Sequence, residues 1–272
     1  MKKNSEHKKI VAEIAKEVYK DGAKETVQSS GKLISLLPRV IHAALCNVEK
    51  WILNKEYSVK KTQKMLEYKL KNIDPSKISE PEAYVAVPAI NALSYSFASD
   101  DLIDLYANLL ASSMIDDEKW KVHPSFVEII KQLSPDEAKL LKYLAEYKGE
   151  NEFPLINLAM KRHNANYTSE SYIKISNFSG IGFGVCDCPE NISSYIDNLA
   201  RLQLIEIKDM SRVSNYDYSI ECNHDLIKTY INSNPLKPGF TWEFDEFMFM
   251  ITNFGKLFIN VCVHNPILDK KE

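Results

Sequence analysis

The sequence predicts a mainly α-helical chain, an N-terminal helical segment followed by a winged-helix-like α+β domain with insertions. Three observations predict it. Apolar residues recur at helical spacing through the first half. Ser134-Pro135-Asp136-Glu137 is a strong helix start at the point where the pattern changes. Beyond it, helix-patterned segments lead directly into the β-rich string LIEIK at residues 204–208. Helix, helix, helix and then strand is the order of a winged helix, a helix-turn-helix variant with a β-wing.

Composition sets the bounds. A length of 272 residues corresponds to one large or two ordinary domains. With 45% hydrophobic and 26% charged residues, the chain matches ordinary soluble proteins and can bury a substantial core. Only 8 glycines and 11 prolines argue against disorder and against a glycine-dependent phosphate loop. The net charge of −3 is unevenly spread. Residues 1–72 hold 16 Lys/Arg against 8 Asp/Glu (+8), residues 73–133 hold 4 against 10 (−6), and residues 134–272 hold 14 against 19 (−5). A basic head on an acidic body suits an anionic partner, or the docking of head on body. The charged opening MKKNSEHKKI does not read as a signal peptide. Cys46, Cys186, Cys188, Cys222 and Cys262 are odd in number and scattered, as expected of reduced thiols in a cytoplasmic protein.

Taken in order, Ile10, Ile14, Val18 and Tyr19 place one helix within Ser5–Ser30. The next stretch, LISLLPRVIHAAL and then CNVEKWIL, is divided or kinked at Pro38, which lacks an N–H and crowds the preceding turn. Ser79-Glu80-Pro81-Glu82 reads as a capping box. Ser99 before Asp100 and Asp101 starts a helix over about 100–115, with Leu102, Leu105, Leu109 and Met114 at core spacing. His123-Pro124 opens a short helix carrying Phe126, Val127, Ile129, Ile130 and Leu133.

Ser134 then caps a helix from Ala138 to Tyr147, and a second short helix is expected around Pro154–Arg162. A polar, Tyr- and Asn-rich insertion comes next, ending in the strand-like run IGFGVCDC. The third helix, about 190–203, puts Ile192, Ile196, Leu199 and Leu202 on one face. After LIEIK come a strand candidate, YDYSIE, and a helix around Asp225–Asn232. FMFMITNFGKLFINVCV reads as a strand, a turn at Thr252–Gly255, and a closing helix or strand. The expected organisation is a helical segment over 1–133 (basic over 1–72, acidic over 73–133), a winged-helix-like domain over 134–266, and a tail over 267–272.

The run VHPSFVEIIKQLSPDEAKLL, from Val122 to Leu141, resembles the abortive infection alpha family of bacterial proteins. So do LYANLLASSM upstream, the helix-then-strand NLARLQLIEI, and the late ITNFGKLFINVC. Together they span most of the chain beyond Ser79, and the central run is the specific one. The resemblance implies a role in defence against phage, in which infection triggers arrest or death of the host cell. It implies no catalytic motif among numbered residues here.

Several constellations carry chemistry on paper. His123 near Asp100, Asp101 and Asp104 would pair imidazole with carboxylate, but a helix-start histidine and N-terminal helix acids explain the same residues. Cys186-x-Cys188 with Cys222, Cys262, His163 and His224 offers one tight pair where structural zinc sites use two, so neither metal nor cofactor is expected. Residues 33–53 are interrupted by Arg39, His42, Glu49 and Lys50, which argues against a spanning helix and leaves an interfacial one open. The outward positions of the third helix, Ser193, Ser194, Asp197, Asn198 and Arg201, are the candidate partner-binding residues. One arginine beside Glu190 and Asp197 gives little phosphate neutralisation.

The expected function is a non-enzymatic, defence-associated interaction protein that binds a protein partner or itself. Two rivals from other classes stay open. One is a winged-helix transcriptional regulator that binds DNA. The other is a membrane-surface effector using residues 1–53.

Overall fold

The computed structural model describes residues 56–93, 99–147, 151–162 and 170–264. The expectations for the basic head, for Pro38, for a membrane-surface helix within residues 1–53, and for the tail over 267–272 lie outside the described residues. Within them the chain divides into two compact units. One takes residues up to Gln132 and those from Val261, and the other is Leu133–Asn260.

The first unit is helical: α1 (Glu56–Leu70), α2 (Ala83–Leu93), α3 (Asp100–Met114) and α4 (Ser125–Lys131). Helix α3 is its axis, in contact with α1, α2 and α4. The Ser99 hydroxyl accepts the Leu102 N–H, capping the orphan amides at the start of α3. From Leu105 to Met114 every residue of α3 is buried, so no polar stripe survives. Its polar side chains Asn108 and Ser112 close the unit from within. The Asn108 Nδ2 donates to the carbonyls of Cys262 and Val263 at 2.9 and 3.1 Å, and the Ser112 hydroxyl donates to that of Val261 at 3.1 Å. The expected capping box at Ser79 does not form. Instead the Ser79 N–H donates to Met114 O and its hydroxyl to Asp116, beside an Ile78–Ile115 bridge, and the helix starts at the Glu82 carbonyl.

The second unit begins with α5 (Pro135–Glu146). Here the capping box is complete: Glu137 N–H donates to Ser134 Oγ at 3.2 Å, and Ser134 N–H to Glu137 Oε2 at 2.5 Å. Ser134→Ala is expected to cost about 1 kcal/mol, read as a lower midpoint in urea unfolding of the full chain.

The strands after α5 overturn the mainly α, winged-helix reading. Two long ones, β1 (Phe153–Arg162) and β2 (Glu170–Phe178), stand between α5 and the helix α6 (Ile192–Arg201). Among the described residues, no helix-turn-helix is formed there. With β3 (Ile205–Lys208) and β4 (Thr241–Ile251) they build one curled antiparallel sheet of order β2-β1-β4-β3, so the unit is mixed α+β. Strand β1, expected as a helix, is central and nearly buried on both faces from Phe153 to Ala159. Such a strand reads as an unbroken apolar run without alternation, and periodicity cannot separate that from a buried helix.

Two further strand expectations fail. IGFGVCDC is a tight 3-10 turn at Gly180–Gly184 with a loop after it. A Cβ on Gly182 would lie 2.9 Å from Ile192 Cδ1, so its glycine serves close approach rather than extension. YDYSIE is a turn ending in the short helix α7 (Ser219–Cys222). Buried Tyr218 pins it there, donating its hydroxyl to Phe247 O at 2.6 Å and accepting the Val213 N–H.

Other elements obey their sequence signals. Ile192, Ile196 and Leu199 are buried on α6, and Leu202 is buried just after its last residue. Gln203 then takes φ +60°, with its N–H on Ala200 O and the Leu204 N–H on Leu199 O. That left-handed closure turns the helix straight into β3. Helix α8 (Asp225–Ser233) matches expectation, whereas the expected turn at Thr252–Gly255 is a helix start, with Thr252 capping α9 (Asn253–Phe258).

Candidate functional site

The helix expected to present a recognition face is largely tied into its own unit. Ser193 and Asn198 are half-buried, and Ser194, Asp197 and Arg201 are exposed. Asn198 Nδ2 donates to Glu137 Oε1 at 2.7 Å, and the Arg201 guanidinium donates to Asn198 Oδ1 at 2.6 and 3.0 Å. Asp197 accepts from Asn177 Nδ2 at 2.6 Å. Asn177 has φ +52° and sits where β2 slips in register against β1, and its N–H is taken by Asn157 Oδ1 at 2.9 Å. Asp197 and Asn157 thus hold a β-bulge in place.

Below this helix lies the polar centre of the unit. The carboxylate of Asp136, only 6% exposed, accepts the N–H groups of Asp187 and Cys188 at 2.9 and 2.8 Å and the Tyr195 hydroxyl at 3.1 Å. Lys139 Nζ lies 3.3 Å from Asp136 and 2.6 Å from Asp187. Burial works to raise the Asp136 pKa, but the Asp187 and Cys188 amides, with Tyr195 and Lys139, outweigh it and hold the carboxyl below its ordinary range. The site is an anchor for the Cys186–Cys188 loop. Burial pushes the Cys186 thiol up to about 11, and likewise Cys222 to about 11, which keeps both as weak nucleophiles and weak ligands at neutral pH.

A second buried carboxylate behaves oppositely. Glu221 accepts the Gly180 N–H at 2.5 Å and the Tyr216 hydroxyl at 2.9 Å. Burial nevertheless raises its pKa, and those two bonds and His224 only offset it. The His224 ring packs at a tilt against Phe183, with centroids 4.1 Å apart, and its Nδ1 accepts the Leu226 N–H. It therefore serves as a packing and capping residue.

The remaining sequence candidates are dispersed. Asp104 pairs with Lys69 at 2.6 Å, and His123 Nδ1 receives the Ser125 N–H at the start of α4. Cys262 is buried in the first unit, whereas Cys186, Cys188 and Cys222 belong to the second. Cys46 and His163 lie outside the described residues. Among the described residues, no group of three or more His, Cys, Asp or Glu is placed to hold a metal ion. Among them also, no helix is long and apolar enough to cross a membrane.

The surface that sequence reasoning passed over is the outer strand. β2 is an edge of the sheet, and from Ser171 to Lys174 all its residues are exposed, Tyr172 by 47% and Ile173 by 56%. Arg162, paired with Glu170 across β1, lies 4.3 Å from the Phe240 ring centre, and Tyr172 packs at 6.3 Å from the same ring. An aromatic and cationic face therefore backs one side of the strand, and Ile173, opposite Ala159, points to the other. The signal was present in ESYIKISNF, where Tyr172, Ile173 and Ile175 are strand formers, but the polar setting hid it.

The profile of the family described as abortive infection alpha matches residues 54–262. No curated protein and no solved structure matches the chain. The match takes in both units and most of the described residues. The chain belongs to the abortive infection alpha family, and its role is accordingly a defence-associated one of the abortive-infection kind.

Proposed function

We propose that the chain acts in this defence as an interaction protein, binding a protein through the outer strand of its sheet without chemistry of its own. One observation carries the reading: β2 is an edge with large apolar side chains, Tyr172 and Ile173, turned to solvent. An edge strand offers a row of backbone donors and acceptors to another chain, and proteins usually cover or blunt such edges when they serve no contact. The raised thiols and the structural employment of Asp136 and His224 favour binding over catalysis.

Ile173→Asp is expected to abolish phage protection by the expressed chain while leaving its unfolding midpoint in place. An exposed substitution of this kind shifts stability by no more than about 0.5 kcal/mol. Plaque counts on hosts carrying the wild type, the variant or empty vector make the test. Full protection by a folded Ile173→Asp variant overturns the reading.

A further inference from the structure

We propose that the protein bound at β2 is a second copy of this chain, paired antiparallel about a two-fold axis at Tyr172. This rests on the reading of β2 as an interaction edge, and register and charge carry it further. Glu170, Tyr172 and Lys174 share a face: the Tyr172 hydroxyl lies 3.5 Å from Glu170 Oε2, and Lys174 Nζ lies 5.6 Å from the Tyr172 ring centre. Folding the strand back on a copy of itself about Tyr172 sets Glu170 opposite the copy's Lys174, and Lys174 opposite its Glu170. Tyr172 then meets Tyr172 on that face, and Ser171 meets Ile173 on the other.

Moving the axis one residue either way loses both charge pairs and sets Tyr172 opposite Lys174 or Glu170. Opposite charges and aromatic pairs directly across an antiparallel ladder are stabilising, and like charges there are destabilising. The strand is thus self-complementary in one register. Regular pairing with β1 holds from Glu170 to Ile173, and the register shifts lie beyond it toward Phe178. Four of the five residues offered to the copy, Glu170 to Ile173, lie on the straight part of the strand, and Lys174 stands at the first register shift with its Nζ still beside the Tyr172 ring. Two such edges joined would merge two four-stranded sheets into one of eight, and a symmetric contact of this kind closes on itself.

The test is the mass of the full-length chain in solution, by sedimentation equilibrium. Wild type is expected to dimerise. Glu170→Lys alone and Lys174→Glu alone each turn two attractive pairs into repulsive ones, and each is expected to weaken the dimer about tenfold or more. Mixing these two variants restores both pairs and gives a heterodimer, and the Glu170→Lys/Lys174→Glu double variant dimerises with itself. Recovery on mixing separates pairing from misfolding, which no mixing would cure. A monomeric wild type, or single reversals that dimerise as well as wild type, overturn the proposal. If protection is still lost in Ile173→Asp while the wild type is monomeric, the edge binds a different protein, and only the self-pairing falls.

Discussion

Gly255→Ala is expected to be the most destabilising single methyl in the second unit, at about 3 kcal/mol or more. A Cβ on Gly255 would fall inside the carbonyl oxygen of Leu204, with the Leu204 carbon and Ile251 Cγ2 also within 2.9 Å. The obstacle is backbone, so no rotamer change relieves it. That carbonyl is also fixed in place, because it accepts the Thr252 N–H at 3.1 Å while Thr252 Oγ1 donates to Gln203 O at 2.7 Å and accepts the Gly255 N–H at 2.8 Å. Overpacking a core costs about 1–3 kcal/mol even where side chains can move. Urea unfolding of the full chain gives the number. A loss under about 1 kcal/mol would show that α9 can shift away from β3 more freely than these bonds allow.

Asp136→Ala is expected to cost a similar amount, about 3 kcal/mol near neutral pH, since hydrogen bonds to a charged group contribute about 1.5–3 kcal/mol and amides would lose their acceptor. It also carries a pH signature. The folded-state pKa of Asp136 is lowered. Its stabilisation is therefore fully present above the free carboxylate value of about 3.9 and disappears as pH falls through the lowered folded value. The gap between wild type and variant should close in that acid range and stay open above it. Glu221 provides the contrast, because its pKa is raised. Its contribution grows more favourable as pH falls through the raised value toward the free one. Unfolding midpoints measured through the acid range for Asp136→Ala and Glu221→Gln should diverge in opposite senses. Parallel shifts at all pH values would mean that neither carboxylate titrates with folding.

The surroundings of Asp136 and Gly255 also show what could be read from residues alone. The Ser134 capping box was legible because all its partners fall within four residues. So was the buried stripe of α6, where helical spacing alone decides. Strand β1 was not legible, because Pro154 and the apolar run after it fit a helix start as well as a strand buried on both faces. The pairing that settles the matter lies across the sheet at Phe247–Phe249. Once β1 is taken for a helix, helix-strand order imitates a winged helix, and α6 looks like a recognition helix. Its polar side chains Ser193, Ser194, Asp197, Asn198 and Arg201 are half-buried or exposed. Their engagement with Glu137 and Asn177 depends on contacts 61 and 20 residues away in sequence, which no local pattern displays. Tyr172 and Ile173 were hidden for the same reason, since exposure on an edge is a property of the assembled sheet.

The first unit is discontinuous in sequence, and this constrains how the chain is made. Asn108 and Ser112 take their acceptors from carbonyls 154 and 149 residues further on. When α3 leaves the ribosome those acceptors do not yet exist, so this helix must wait with polar groups bound to water or to transient neighbours. The second unit, continuous from Leu133 to Asn260, has all its own strands before those carbonyls emerge. Domains generally fold as they are completed during synthesis. Here the order inverts the usual one: the unit begun first is finished last, and translation must pass Val263 before the α3 side chains find their partners. A chain stalled or cut short of that point would carry a finished sheet behind an unfinished helical bundle.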